Sequence, residues 1–410
     1  MPQTSDTSLR VLFFDTRDHT GGHATVHNAL IRHFDQTRIR PFAIANSATY
    51  DSRTIEEAYR AMPGLEWTAL PFGDPLTKTP GPAHKVRSLA TSVRCLARAI
   101  AQARRWRIDV VHTNEHRSNA FYGVLLSRAI GAKYVFHMHA NATHLTWGTL
   151  FGLRHASAVL AVSDPIRKEL MAIGVPESRI HVVHNGVDAS RYTASQFGSE
   201  RAAIRRSLQI PDASPLVGIA ARITPWKGQR ELVEAVHRLL PDFPDVRLAI
   251  IGGTRTPDDP SSFNETEREL RQLVADLGLE SVVHFTGWQA DVRPWLAALD
   301  IFALPSYGEP FSIALLEAMA AGLPAIACLG SGATDIMITG RNGMLVSPGS
   351  VDELKQALGA LLADPEGRRR IGQEGRQLVQ ERLTLGRQAD RVSDIYRSLA
   401  TPSAGAVRSP

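Results

Sequence analysis

Two glutamates eight positions apart are the residues of this sequence best placed to do chemistry. Glu309 and Glu317 lie in the segment 305–322, which reads PSYGEPFSIALLEAMAAG. Pro310 suits the first turn of a helix, and Pro324 prevents that helix from continuing. The segment therefore predicts Glu309 in a loop at the start of a helix and Glu317 about two turns along it.

The start of such a helix favours an anionic ligand. In a doubly wound fold, ligands bind where a helix follows the carboxyl end of a strand. The backbone N–H groups of Phe311, Ser312 and Ile313 would point there, and with the helix dipole they favour a diphosphate. The Glu309 carboxylate would accept hydrogen bonds from sugar hydroxyls, and Glu317 would accept them from a ribose. The alternative is two ordinary carboxylates, but the apolar neighbours of Glu317 require a partner or a ligand for it.

The spacing from Glu309 to Glu317 is an E-x7-E motif, and through it the chain resembles glycosyltransferase family 4, retaining enzymes of the GT-B fold. The segment 222–228, RITPWKG, is similar to the Arg-x4-Lys-Gly stretch of that family. The resemblance implies that Arg222 and Lys227 neutralise the leaving diphosphate, as a guanidinium and an ammonium can. The other interpretation of these two residues is a pair of unrelated surface cations.

Further segments resemble the same family. The residues TGGH at 20–23 are similar to its N-terminal glycine loop, which implies that Gly22 lies close to the donor phosphate; the alternative is a tight turn. His139, in the segment FHMHA, is similar to the histidine near the donor sugar, and the alternative is a hydrogen-bonded core histidine. Gly287 matches the glycine whose backbone lies near the nucleotide base.

The resemblance implies a function as well as a fold. It implies transfer of a hexosyl group from a UDP-sugar or GDP-sugar to a hydroxyl acceptor, which is a glycan, a lipid-linked sugar or a small natural product. We expect no cofactor and no metal, because the sequence has no Asp-x-Asp and its histidines lack metal-type spacing. Three alternatives stay open: a sugar-nucleotide epimerase of the same fold, a sugar phosphorylase, and a non-catalytic subunit that binds nucleotide sugars.

The order of apolar segments predicts the fold class. Short apolar runs alternate with amphipathic stretches throughout, which is typical of α/β folds with buried parallel strands. The prediction is two Rossmann-like domains with parallel sheets facing across a cleft, an acceptor-side domain over 1–186 and a nucleotide-sugar-binding domain over 187–384. A helix over 385–399 is predicted to pack back on the first domain, and residues 400–410 are predicted to be disordered.

Composition excludes several other classes of protein. The net charge of +5 on 410 residues is too small to indicate nucleic-acid binding. Two distant cysteines, Cys95 and Cys328, form no disulfide framework and favour a reducing, cytoplasmic compartment. The N-terminal sequence has no signal-peptide pattern, and the longest apolar stretch, 313–329, is broken by polar and helix-breaking residues. We therefore expect neither secretion nor a membrane span.

The segment 85–107 holds seven basic residues and no acidic one. On a helix, one face would carry arginines and the nearly opposite face apolar residues: Arg87, Arg94, Arg98 and Arg105 against Val86, Leu89, Val93, Leu96 and Ile100. The arginine face either contacts anionic lipid at the inner face of the membrane, or a phosphate-bearing acceptor, or is simply solvated. In each case the apolar stripe is predicted to pack on the core.

Overall fold

The computed structural model describes residues 8–16, 22–47, 52–72, 82–253 and 265–400. They form two compact units: the N-terminal unit, Met1–His184 with Leu385–Pro410, and the C-terminal unit, Asn185–Thr384. Each unit is built on one parallel sheet, so the predicted α/β class with two Rossmann-like domains is confirmed. Over these residues, none of the helices has the length and apolar character needed to cross a bilayer.

The N-terminal unit contains a seven-stranded sheet in the order β3-β2-β1-β4-β5-β6-β7. Its strands are β1 (Leu9–Phe14), β2 (Ile39–Asn46), β3 (Glu66–Leu70), β4 (Val110–Asn114), β5 (Lys133–Met138), β6 (Ala158–Ala161) and β7 (Ile180–Val182). The helices between them are α1 (Gly22–His33), α2 (Ser52–Arg60), α3 (Pro82–Arg105), α4 (Arg117–Ile130), α5 (Trp147–His155) and α6 (Asp164–Ala172). The strand order reverses between β1 and β4, and the carboxyl ends of strands at such a point are where α/β sheets bind ligands.

The C-terminal unit contains a six-stranded sheet in the order β10-β9-β8-β11-β12-β13. Its strands are β8 (Leu216–Ala220), β9 (Arg247–Ile251), β10 (Val283–Gly287), β11 (Ile301–Leu304), β12 (Ala325–Cys328) and β13 (Met344–Val346). Its helices are α7 (Gly198–Ser207), α8 (Gln229–Leu239), α9 (Glu265–Asp276), α10 (Arg293–Ala298), α11 (Ile313–Ala320), α12 (Val351–Ala363) and α13 (Pro365–Arg382). The central pair, β8 and β11, again marks the reversal of strand order.

The last helix, α14 (Leu385–Ala400), belongs to the N-terminal unit although it follows the C-terminal unit in sequence. Arg38, just before β2, forms ion pairs with Asp390 and Asp394 of this helix. Tyr396 is completely buried, and its ring lies 6.1 Å from that of Phe34. The helix is therefore part of the core of the N-terminal unit.

The prediction for the buried face of α3 is wrong. The structure buries a stripe of small residues (Ser88, Ser92, Cys95, Ala99 and Ala103), whereas Leu89 and Val93 are 56% and 59% exposed and Leu96 and Ile100 half-buried. The buried stripe lies one residue before the predicted one, which is a rotation of about 100° around the helix. Small side chains let the helix backbone approach its neighbours closely, and that packing outweighs burial of the larger residues. The predicted Arg94, Arg98 and Arg105 are exposed, and the side chains of Val86 and Arg87 lie outside the described residues.

Candidate functional site

The loops after β8 and β11 are held together at the carboxyl end of the second sheet. Gly228, with φ +77°, packs so closely that a Cβ there would lie 2.3 Å from the carbonyl oxygen of Pro305. The backbone N–H of Tyr307 donates a hydrogen bond of 2.8 Å to the carbonyl of Trp226. A glycine after Lys227 is thus required both by the backbone angle and by the contact. This contact brings the residue before Gly228 next to the loop that carries Glu309.

Lys227 and Glu309 form an ion pair between these two loops. Their side chains are only 13% and 16% exposed. The Lys227 ammonium also lies 4.1 Å from the ring centroid of Trp226. A partly buried ammonium at the carboxyl end of a sheet can stabilise the negative charge of a ligand. The carboxylate beside it can accept hydrogen bonds from hydroxyl groups of the same ligand. The structure thus brings together two of the predicted site residues from positions 82 residues apart.

The helix that carries Glu317 begins later than predicted. α11 starts at Ile313 with Ser312 as its cap, and the Ser312 hydroxyl accepts a hydrogen bond of 3.2 Å from the N–H of Leu315. Pro310 therefore precedes the helix and is not part of its first turn. Phe311 is buried, and its carbonyl accepts a hydrogen bond of 3.2 Å from the Asn185 amide. The serine cap defines the first turn, so the proline is not needed for that purpose.

The Glu317 carboxylate has a partner that the sequence did not reveal. It accepts a hydrogen bond of 2.6 Å from the hydroxyl of Tyr192, which comes from a short turn after the start of the C-terminal unit. Burial raises the pKa of Glu317, while the Tyr192 hydrogen bond and the charge of Arg191 oppose that rise. Burial and the nearby carboxylate also raise the pKa of Tyr192, which therefore stays a neutral donor. Nothing in the sequence near position 192 indicated this contact, since 125 residues separate the two partners.

Arg222 and Gly287 lie at the ends of two strands of the same sheet. Arg222 follows β8 and is exposed, and its carbonyl accepts a hydrogen bond of 2.9 Å from the Gln229 side chain. Within the described part of the chain its guanidinium forms no ion pair, unlike the ammonium of Lys227. Gly287 ends β10 with φ +68°, and its carbonyl accepts the N–H of Gly252 at 2.9 Å. Both residues thus lie at the carboxyl end of the sheet, where Lys227 and Glu309 also lie.

In the N-terminal unit, His139 lies directly after β5 and is half-buried. Its backbone N–H donates a hydrogen bond of 3.2 Å to the Glu115 carboxylate. Its ring packs on that of His137, with 3.9 Å between centroids. Two further buried histidines, His27 on α1 and His112 on β4, complete a cluster that no local sequence pattern joins to His139.

The cluster contains the one group of three potential metal ligands found among the described residues. The candidate ligand atoms of His27, His112 and His137 lie within 4.8 Å of one another, and all three residues are buried. Burial lowers the pKa of His112 and His137 well below the usual value, so both rings are neutral, the state in which imidazole binds metals. Gly22 is the first residue of α1; Thr20 and Gly21 of the predicted glycine loop lie outside the described residues.

A second polar network was also missed, at the carboxyl ends of β1 and β4. The Asn119 amide donates hydrogen bonds of 2.8 Å to Asp15 and 2.7 Å to Asn114, and its oxygen accepts the Thr16 N–H at 2.6 Å. All four residues are buried. Polar residues at the carboxyl end of each strand were the available signal, because buried polar side chains need such partners: Asp15-Thr16 follows β1, and Thr113-Asn114 ends β4.

Family comparisons cover both units. The model described as Glycosyltransferase Family 4 matches residues 20–191, and the model described as Glycosyl transferases group 1 matches residues 200–378. An alpha-maltose-1-phosphate synthase of Mycolicibacterium smegmatis is 30% identical over 264 residues, which is 62% of this chain and 66% of the relative. A D-inositol 3-phosphate glycosyltransferase of Xylanimonas cellulosilytica is 31% identical over 59% of this chain and 57% of its own. The chain thus spans less than two thirds of the length of these relatives.

Solved structures share the fold. The crystal structure of Anabaena HepE in complex with UDP superposes with a TM-score of 0.78 at 22% identity, over 95% of this chain and 100% of that one. Sucrose-phosphate synthase from Thermosynechococcus elongatus gives a TM-score of 0.76 at 22% identity, over 95% and 99% of the two chains. The two family models, together with this shared GT-B fold, lead to one conclusion: the chain belongs to glycosyltransferase family 4.

Proposed function

We propose that this protein is a retaining glycosyltransferase that moves a hexosyl group from a nucleotide sugar to a hydroxyl acceptor without a metal ion. The observation that carries the proposal is the Lys227–Glu309 ion pair, held at the carboxyl edge of the second sheet with Glu317 eight residues further on. A cation for a diphosphate lies on the loop after β8, a carboxylate for sugar hydroxyls on the loop after β11, and a carboxylate for a ribose on α11.

We assign these residues to one substitution at the anomeric carbon of the donor sugar. The bond between the anomeric carbon and the diphosphate oxygen breaks, and a bond from the acceptor oxygen forms on the same face of the sugar. The acceptor proton passes to an oxygen of the leaving diphosphate, so no enzyme nucleophile is needed. Lys227 and Arg222 stabilise the negative charge that grows on the diphosphate, and Glu309 orients the sugar hydroxyls. His139 is assigned to a position next to the sugar that is transferred.

The remaining donor contacts are assigned to α11 and to two glycines on other elements. The backbone of Phe311, Ser312 and Ile313 at the start of α11 is assigned to the diphosphate. Glu317, fixed by Tyr192, is assigned to the two ribose hydroxyls. Gly287 is assigned to the base, since the space next to its Cα is open: a Cβ there would meet no atom within 4 Å. Gly22, at the start of α1, is assigned to the phosphate side of the donor.

The relatives suggest which donors to test first. A structure of Anabaena HepE holds UDP-glucose, and a similar protein of Corynebacterium glutamicum is named a GDP-mannose-dependent mannosyltransferase. UDP-glucose and GDP-mannose are therefore the first candidates, and UDP-galactose is the control for the sugar alone. The acceptor is expected to be recognised by the N-terminal unit.

The test is incubation of the full chain with each nucleotide sugar in EDTA, with NMR of the products. We expect slow release of nucleoside diphosphate and free sugar from one donor, because water replaces the missing acceptor. Conversion to an epimeric nucleotide sugar would instead identify an epimerase, and cleavage that requires inorganic phosphate would identify a phosphorylase. Tight binding with no turnover of any donor, even with cell-derived lipid and glycan acceptors, would contradict transfer and favour a non-catalytic subunit.

We also propose peripheral association with anionic membrane through α3, in the cytoplasm at the inner face of the membrane. The supporting observation is that the outward side of α3 presents Leu89 and Val93 together with Arg94 and Arg98. Apolar side chains can enter the headgroup region while arginines bind anionic lipid. Nucleic acid is not proposed as a partner.

A further inference from the structure

The buried histidines of the N-terminal unit form a connected path to the last helix of the chain. His112 on β4 and His137 on β5 lie on the same face of adjacent strands, because His137 is in register with Asn114 and Asn114 lies two residues from His112. The Nε2 atom of His112 lies 3.2 Å from Nδ1 of His137. The Nδ1 atom of His112 is hydrogen-bonded to the hydroxyl of Tyr396 on α14. All three side chains are completely buried.

The hydrogen bonds of this path can run in two directions, and each direction places the protons on different nitrogens. Burial keeps both imidazoles neutral and the phenol protonated, since it lowers the pKa of His112 and His137 and raises that of Tyr396. A neutral imidazole has one N–H donor and one acceptor nitrogen. If Tyr396 donates to Nδ1 of His112, then Nε2–H of His112 donates to Nδ1 of His137, and the His137 proton resides on Nε2.

The opposite direction gives the other tautomer of both histidines. If His137 donated from Nδ1 to His112, and His112 donated from Nδ1 to Tyr396, the phenol proton would need another acceptor. Among the described residues the Tyr396 hydroxyl has no other hydrogen-bond partner. A buried donor without an acceptor costs about 1–3 kcal/mol. The first direction carries the same cost, because Nε2 of His137 is buried and has no hydrogen-bond partner among the described residues. In either direction the two histidines share one tautomer, both Nε2–H or both Nδ1–H.

This path ends against the candidate site residue. The ring of His137 packs on that of His139 with 3.9 Å between centroids and 34° between planes. We propose that Tyr396 is a positioning residue: through His112 and His137 it holds the ring of His139 in place. The proposal rests on the proposed function of His139 in sugar transfer, and it gives the returning helix α14 a role in that site.

A metal ion at the cluster is the competing explanation. Two histidine nitrogens bound to one tetrahedral zinc at 2.0–2.1 Å would be about 3.3 Å apart. The candidate ligand atoms of the three rings lie within 4.8 Å of one another, and the His112–His137 pair is already 3.2 Å apart, so distance alone does not decide between the two explanations. Both ring nitrogens of His112 are already engaged in hydrogen bonds. The geometry therefore favours the hydrogen-bonded path over a metal site.

The experiment is nitrogen NMR of the full chain labelled at histidine, compared with the Tyr396→Phe variant. In the wild-type protein we expect His112 and His137 in the same tautomer, both Nε2–H or both Nδ1–H, because only then does one proton lie between the two rings. In Tyr396→Phe, which keeps the ring and loses only the hydroxyl, the signals of His112, His137 and His139 should shift. We expect kcat to fall about tenfold to a hundredfold, because the ring of His139 loses its position beside the reacting sugar. We expect KM for the donor to stay unchanged, because the residues assigned to donor binding in the C-terminal unit are not affected.

Tyr134→Phe is the matched control. Tyr134 is also completely buried within this sheet, and its hydroxyl forms a hydrogen bond of 2.8 Å with Thr113. The variant should lose similar thermal stability and leave kcat and the three histidine signals unchanged.

Several results would overturn the proposal. One is a wild-type protein in which His112 and His137 have different tautomers, which is informative even if no variant folds. Another is a Tyr396→Phe variant whose histidine signals and kcat match those of Tyr134→Phe. Stoichiometric zinc in the purified protein, with histidine signals that change on addition of EDTA, would identify a metal site instead. Since the NMR needs no turnover, an inactive wild-type protein would contradict the proposed function and leave the hydrogen-bonded path testable.

Discussion

The two units present opposite kinds of chemistry at the ends of their sheets. In the C-terminal unit, the ion pair of Lys227 and Glu309 is charged and lies partly open to solvent. In the N-terminal unit, His112 and His137 are neutral and completely buried. A charged, partly open group can stabilise a charge on a ligand directly. A buried neutral network can only fix the position of a residue beside it, here His139.

This difference decides what each unit contributes to a reaction. Charge stabilisation by preorganised groups usually accounts for most of an enzyme's rate enhancement, and positioning adds to it. We therefore expect variants of the C-terminal pair to lose more activity than variants of the histidine path. A ranking of activities in the reverse order would contradict this division of roles between the units.

The largest effect is expected for Lys227→Ala. Removing the ammonium takes away a charge contact with the leaving diphosphate, so kcat should fall about a hundredfold to a thousandfold. Steady-state kinetics and a thermal melt of the same sample measure activity and folding together. Lys355→Ala is the control, because Lys355 is a more exposed lysine of the same unit, 3.9 Å from Asp242. Equal activity of the two variants would remove Lys227 from the mechanism.

Glu317→Gln sharpens the comparison. Glu317 belongs to the C-terminal unit, but its carboxylate is largely enclosed, unlike the partly open pair of Lys227 and Glu309. Loss of charged hydrogen bonds to the ribose should raise KM for the donor about tenfold to a hundredfold, with little change in kcat. Glu353→Gln, at an exposed carboxylate of the same unit, should leave KM unchanged. A larger fall in kcat than rise in KM would instead assign Glu317 to the chemical step.

The same variant has a predicted pH signature in stability. Burial raises the folded pKa of Glu317 above its ordinary value of 4.5, so the folded state binds this proton more tightly than the unfolded chain. Wild-type stability from this group is present below 4.5 and is lost as the pH rises through the folded pKa. Glu317→Gln lacks that loss, so its Tm relative to wild type should rise as the pH increases above 4.5 through the folded pKa. A Tm difference that is constant with pH would show that the carboxyl does not titrate differently on folding.

The sequence revealed the ion pair of the C-terminal unit better than the buried histidines of the N-terminal unit, for physical reasons. Strands buried on both faces, such as β8 and β11, are continuous apolar runs that the sequence shows directly. The edge strands β3 and β13 give a weaker signal, because the first is mostly half-exposed and the second has three residues. Glu309 and Lys227 were found through local motifs. The contacts of Glu317 with Tyr192 and of His112 with Tyr396 join distant segments, and no local pattern contains that information.

The smallest effect is expected for the surface charges of the N-terminal unit, which lie on α3 and not at the histidine path. Each arginine near an anionic membrane contributes about 1 kcal/mol, so Arg98→Ala should weaken binding to phosphatidylglycerol vesicles about fivefold. Arg32→Ala, at an exposed arginine on α1, is the control. High salt should weaken wild-type binding and shrink the difference between Arg98→Ala and wild type, because salt screens exposed charges.

The exposed apolar residues of α3 separate two explanations of that binding. If Leu89 enters the lipid headgroup region, Leu89→Gln should weaken vesicle binding at low and at high salt alike, since burial of apolar surface does not depend on screening. If only arginines contact lipid, Leu89→Gln should bind as the wild type does. Vesicle binding that none of the α3 variants changes would contradict the membrane proposal, because neither the arginines nor the apolar residues of this helix would then contact lipid.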